Sequence, residues 1–256
     1  LGGGWRPGLA IWALPAAAAA LVWAPTLRRR DRRSSARRGN GRPHPGSVRP
    51  LLSQPLAWYV TLFFAVQSGG FYATLAWLPS IFRSHGAGEA QAGLLLSLTM
   101  VVGLLTALTV PGIAARMHDQ RRLVLVSSAL TGGGLLGILL APMSAPYLWA
   151  VLLGLGQNAS FPLALMLIVL RGGSVESTEG LSTLAQSVGY VLAAFAPLAV
   201  GALHGLTSSW TPALILLVVL IAPQTLAGLA AGRNRQLSDP GLPSAPRPPA
   251  IAAETH

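Results

Sequence analysis

Seven polar residues stand inside stretches that are otherwise apolar: Gln67, Tyr72 and Thr74 in VQSGGFYATLAWLP, Gln157 and Asn158 in GLGQNASFPLALMLIVLR, and Gln186 and Tyr190 in LAQSVGYVLAAFAPLAVGALH. Amides, a hydroxyl and phenols donate and accept hydrogen bonds but are neither strong acids nor bases near neutral pH, so they offer recognition rather than bond cleavage. Helical spacing groups them: Gln67, Gly70, Phe71 and Thr74 share one face, Gln157, Ser160 and Phe161 a second, and Gln186, Tyr190, Ala193 and Pro197 a third. Three helices bringing such groups to one depth, among aromatic and small neighbours, would form a cavity for a small solute. The competing reading is that the same groups bond across helices and hold a bundle together, at about 0.6 kcal/mol each.

No catalytic or metal constellation competes with recognition. His44, His85, His118, His204 and His256 lie in loops, in the tail or at the ends of apolar runs without ligand spacing, and all seven acidic residues lie outside those runs. The absence of cysteine removes a thiolate nucleophile and a Cys-type metal site. No cofactor and no enzymatic activity are expected.

The elements that must position these residues are membrane spans. The chain is 52% hydrophobic and 10% charged, more apolar than one soluble core of this size requires. An apolar run covers residues 8–26, and six more cover roughly 56–82, 91–115, 123–142, 147–170, 181–203 and 210–231. Each is near the about 20 residues needed to cross a bilayer. The expected fold is therefore all-α, a multi-pass transmembrane bundle with seven spans. A signal peptide is the other reading of the first run, but its Arg cluster follows the apolar stretch instead of preceding it.

The net charge of +11 is local, since nine of the eighteen arginines fall between Arg28 and Arg49. This Arg-, Gly-, Ser- and Pro-rich segment reads as a flexible cytoplasmic linker. It serves as a topology signal or contacts anionic lipid; nucleic acid is disfavoured because no interleaved aromatics accompany the charges. With the linker inside, sixteen of the eighteen arginines are inside. Organisation follows as residues 1–27 (one helix), 28–55 (linker), 56–232 (six helices) and 233–256 (a disordered Pro-rich cytoplasmic tail). A short polar turn holding Arg171, Glu176 and Glu179 joins the two helices that carry Gln157 and Gln186. Arg116, Asp119, Arg121 and Arg122, in another tight turn, read either as a charge latch between helix ends or as ordinary positive-inside anchoring. Gly132, Gly133, Gly134 and Gly137 read as a packing notch, and Pro79, Pro111, Pro162 and Pro197 as kinks with or without a gating role.

These segments resemble the cyanate and 2-nitroimidazole branch of the major facilitator superfamily. GWRPGLAIWALP is similar to its sixth helix, QSGGFYATLAWLPSIF to its seventh, ARMHDQRRLVL to its loop between helices eight and nine, GLGQNASFPLALMLIVLR to its tenth, and LAQSVGYVLAAFAPLAVGALHGLTSSW to its eleventh and the start of its twelfth. The loop departs from the superfamily's usual pattern, with Arg116 where an Asp is common after Gly112. The resemblance implies helices six to twelve of a twelve-helix protein in the bacterial plasma membrane. It also implies alternating-access transport of a small polar or anionic solute, cyanate-like or nitroimidazole-like, with helices seven, ten and eleven lining the cavity. Beginning with Leu1, the chain is expected to be the C-terminal portion of something longer. The alternative is a non-transporting membrane fragment or a partner subunit.

Overall fold

The computed structural model describes residues 48–237, and these fold as six long helices. After a single 3-10 turn at Arg49–Leu51 come α1 (Pro55–Ser84), α2 (Glu89–Arg116), α3 (Arg121–Leu140), α4 (Pro146–Gly172), α5 (Val175–Thr207) and α6 (Thr211–Ala231). Local sequence sets the boundaries. Prolines occupy the first turns of α1, α4 and α6, where a missing N–H costs nothing. Ser174 starts α5 by accepting the Ser177 N–H at 3.2 Å. Gly86 and Gly173 follow α1 and α4 with φ of 95° and 78°, a backbone form that favours glycine.

All six expected apolar runs from residue 56 onward are helical. The expected span over residues 8–26, the basic linker through residue 47 and the tail from 238 lie outside the described residues, so the described fold has six helices rather than seven spans. Five of the six are long and apolar enough to cross a membrane. The exception is α1, whose QSGG and YAT segments dilute its hydrophobicity at mid-length, although its 30 residues give about 45 Å of helix. A second correction concerns the turn after α4. Glu176 and Glu179 belong to the first turns of α5, so the connection shrinks to Gly173 and Ser174.

Successive helices alternate in direction. Helix α4 packs on α2 and α3, α1 on α5 and α6, and α3 on α6, with α1 and α4 also in contact. Small residues allow the closest approaches. A Cβ on Gly154 would stand 2.7 Å from the Thr99 carbonyl of α2, and one on Gly156 would strike Thr131 of α3. In the expected glycine notch, Gly134 and Gly137 meet Leu153 and Trp149 closely, whereas Gly132 and Gly133 have room for a side chain.

The interior has two apolar clusters. One, at the end where Leu51 enters, gathers Phe63, Phe64, Ala114, Val124, Leu163, Leu167, Leu184 and Ala231. The other, at the far end, gathers Leu78, Phe82, Leu95, Ile138, Leu153, Leu214 and Leu217. Along α1, α3, α4 and α6, the residues between these clusters are polar and buried: Gln67, Thr131, Gln157, Ser160 and Gln224. The bundle thus carries a polar belt at mid-depth.

Candidate functional site

The polar residues singled out by spacing fall into two groups. The first is buried. Gln67, Thr74 and Gln157 are no more than 7% exposed, and Gln157 Nε2 donates to Thr74 Oγ1 at 3.0 Å, joining α4 to α1. Gln67 Nε2 donates to the hydroxyl of neighbouring Ser68 at 2.7 Å, while Gln67 Oε1 is buried without a partner among the described residues. A carbonyl oxygen left unpaired in an apolar interior costs about 1–3 kcal/mol, so this one requires an account.

The second group is open. Tyr72 and Tyr190 are 40% and 37% exposed, with ring centroids 6.4 Å apart, and they line a surface cleft of about 580 Å³ with Leu75, Ala76, Ala194 and Pro197. Phe64 supports the Tyr190 ring edge-on at 5.0 Å, and Phe161, itself 40% exposed, lies 6.1 Å from Phe64. The cleft is therefore a stiff aromatic surface whose hydrogen-bonding atoms are two phenols. Stiffness has a further source on the same two helices: Trp77 Nε1 donates to the Pro197 carbonyl at 2.9 Å, in the space that Gly201 leaves by lacking a Cβ.

Two expected site residues stand elsewhere. Asn158 turns toward α2, where its amide donates to the Thr99 carbonyl at 3.2 Å and to Gly154 at 2.9 Å. Gln186 bonds Ser182, one turn back on its own helix, at 2.6 Å. Adjacent residues on a helix point about 100° apart, so Gln157 and Asn158 cannot serve one wall of a cavity.

In the turn between α2 and α3 the charges pair locally. Asp119 accepts the Arg121 N–H at 2.8 Å and pairs with its guanidinium at 3.7 Å, while Arg116 and Arg122 are exposed. These contacts stay within the turn. The bonds that cross between helix ends belong to Gln120 and Arg171, both about 2% exposed. Arg171 Nε donates to the Ala231 carbonyl at 2.8 Å, and its Nη2 donates to Gln120 Oε1 and, at 3.1 Å, to the Gly232 carbonyl. Gln120 Nε2 donates in turn to the Ala114 and Met117 carbonyls at 3.1 and 2.7 Å. One arginine and one amide thus cap the C-termini of α2 and α6 and fasten both to α4.

Sequence reasoning missed Arg171 in this role, and missed Thr131 and Gln224 in the belt. The signal for Gln224 was present, an amide within the apolar run LILLVVLIAPQTLAGLAA. For Arg171 there was spacing: Ala164, Leu167 and Ile168, seven, four and three residues earlier, are buried on the same face.

Residues 1–197 match the family model of the Major Facilitator Superfamily. The chain belongs to that superfamily and is a multi-pass membrane protein. It is 35% identical over 238 residues to an uncharacterized transporter, YycB, of Bacillus subtilis, covering 93% of this chain and 58% of that one. It is 35% identical over 190 residues to the 2-nitroimidazole transporter of Escherichia coli (74% and 48%), and 30% identical over 208 residues to the cyanate transport protein CynX of the same organism (80% and 52%). The chain spans about half the length of these relatives.

Proposed function

We propose that the protein to which this chain belongs is a carrier, not an enzyme, that moves a small polar or anionic solute across the membrane by alternating access. The observation that carries this reading is the Tyr72–Tyr190 cleft: an open, stiff, aromatic surface with two phenols. Lipid does not require phenols there, and a planar solute with hydrogen-bonding edges matches them. The names of the relatives, a nitroimidazole and a cyanate transporter, point to the same class of cargo.

In this reading Tyr72 and Tyr190 contact the solute first. Gln67, Thr74 and Gln157 lie behind them as the polar interior of the site, Gln186 flanks it on α5, and Asn158 supports it from the α2 side of α4. Residues 56–232 form the C-terminal half of the carrier, and residues 1–27 supply the last helix of the other half. Residues 28–55 are the linker, whose stretch from 28 to 49 meets anionic lipid, and residues 233–256 are the tail. The Leu51 end faces the cytoplasm: Arg49, Arg116, Arg121, Arg122, Arg171, Arg233 and Arg235 lie there, against Arg83 at the far end. The turn residues Arg116, Asp119, Arg121 and Arg122 then sit at the inner mouth, where they act as a latch together with the Gln120–Arg171 clamp.

The test is counterflow in liposomes containing the full-length protein, with cyanate and 2-nitroimidazole as the probe set. Saturable exchange of at least one probe is expected. Exchange of none, from protein that is folded and correctly inserted, contradicts the reading.

A further inference from the structure

Between α1, α3, α4 and α6 lies a small cavity of about 20 Å³, distinct from the tyrosine cleft, lined by Gln67, Thr131, Gln157, Ser160 and Gln224 together with apolar side chains such as Leu217. Its size suits one water molecule, for which about 10–15 Å³ suffices. Its chemistry is more telling. Ser160 spends its hydroxyl proton on the Gly156 carbonyl at 3.0 Å, and Thr131 spends its own on Ser127 at 2.8 Å. Gln157 and Gln67 each spend one amide proton, on Thr74 and Ser68, and keep one. What remains is mostly lone pairs, including the unpartnered Gln67 Oε1, with one N–H left on each of the two amides. Gln224 is 5% exposed and makes no hydrogen bond to a described residue. Its amide and one water, each both donor and acceptor, complement a lining rich in acceptor oxygens.

We infer that this void holds a single water molecule bridging Gln67 and Gln157 to Gln224, and that Gln224 is thereby a positioning residue for the amides behind the solute cleft. The second clause rests on the carrier reading; the first does not. Water is favoured over a monovalent cation on two grounds. No carboxylate borders the void to offset a buried charge. An amide can also turn by 180°, and water, both donor and acceptor, matches either rotamer where a cation matches one.

A density map of the full-length protein that resolves ordered water tests the first clause directly, and a double-mutant cycle in thermal midpoint tests it without transport. Gln67→Leu and Gln224→Leu lie on different helices with no bond between them. Through a shared water, the double variant loses distinctly less than the sum of the two single shifts. If either leucine variant fails to fold, Gln67→Met and Gln224→Met replace it. An empty void or additive shifts overturn the water. A midpoint that rises with NaCl but not with choline chloride reassigns the void to a cation and overturns it as well. The positioning role is read from transport by the wild type and Gln224→Met: KM for the transported probe rises about fivefold, by analogy with a lost hydrogen bond, with kcat within twofold. An unchanged KM in a variant with a coupled midpoint overturns that role while leaving the water standing. Absence of transport in the wild type bears on the carrier reading alone.

Discussion

Tyr190 and Thr74 mark the two kinds of polar residue in this bundle, and they respond differently to substitution. Tyr190→Phe keeps the ring against Phe64 but deletes a half-exposed hydroxyl. The fold should tolerate it, and solute KM should rise about five- to tenfold, the value of one hydrogen bond of about 1 kcal/mol or slightly more. Thr74→Val removes the acceptor of the Gln157 amide without changing shape. Interhelical hydrogen bonds in membranes average about 0.6 kcal/mol and reach about 1.7, so its thermal midpoint should fall by only a few degrees. That modest sum also bears on why the belt exists. Apolar residues of the same size would serve packing about as well, so stability alone does not explain five buried polar side chains at one depth. The tyrosines, Gln67 and Gln157 were legible as polar groups in apolar sequence. Which of them face outward was not, because helical spacing fixes relative angles within one helix but not the direction of the neighbours. Asn158 shows the point: one residue from Gln157, it serves α2.

At the scale of elements, the clamp of Arg171 and Gln120 makes three helix ends into one unit. Arg171→Leu strands the Ala231 carbonyl and frees Gln120 Oε1, leaving the Gly232 carbonyl only the Gln120 N–H; each buried acceptor left unpaired costs about 1–3 kcal/mol. Arg171→Lys should restore little of it, since an ammonium lacks the fork that reaches three acceptors. The double variant Arg171→Leu with Gln120→Leu should be more stable than the sum of the single changes predicts, measured by thermal unfolding in detergent. Close packing gives a second prediction. Gly156→Val drives its side chain into Thr131 and should separate α3 from α4, lowering the midpoint by more than Gly133→Val, whose Cβ has space. The helices themselves were readable from apolar run length to within a few residues. The start of α5 was not: VESTEG is polar enough to pass for a loop, and only the Ser174 cap with the glycine before it shows that the helix begins there.

The molecule as a whole has a far-end and a Leu51-end apolar cluster joined across a polar belt, and beside that belt the aromatic cleft opens to the surface. This layout suits a half-carrier that rocks as a rigid body: the clusters and the Arg171 clamp keep the six helices together while the cleft meets the solute. Membership of the superfamily could be read from motifs in α1, α4 and α5; the belt could not, because Thr131 shares α3 with Ser127 and Ser128, and only the packing of α3 and α6 on α1 and α4 brings it and Gln224 to Gln67 and Gln157. The most direct test is saturable uptake of radiolabelled cyanate and 2-nitroimidazole by liposomes carrying the full-length protein, wild type against Tyr72→Ala, Tyr190→Ala and a control on an exposed leucine of α2 outside the cleft, Leu108→Ala. The account predicts saturable uptake of at least one probe, a KM raised by about tenfold or more in each tyrosine variant, equivalent to about 1.4 kcal/mol of lost binding, and no change in the control. Saturable uptake with both tyrosine variants matching the wild type would contradict it.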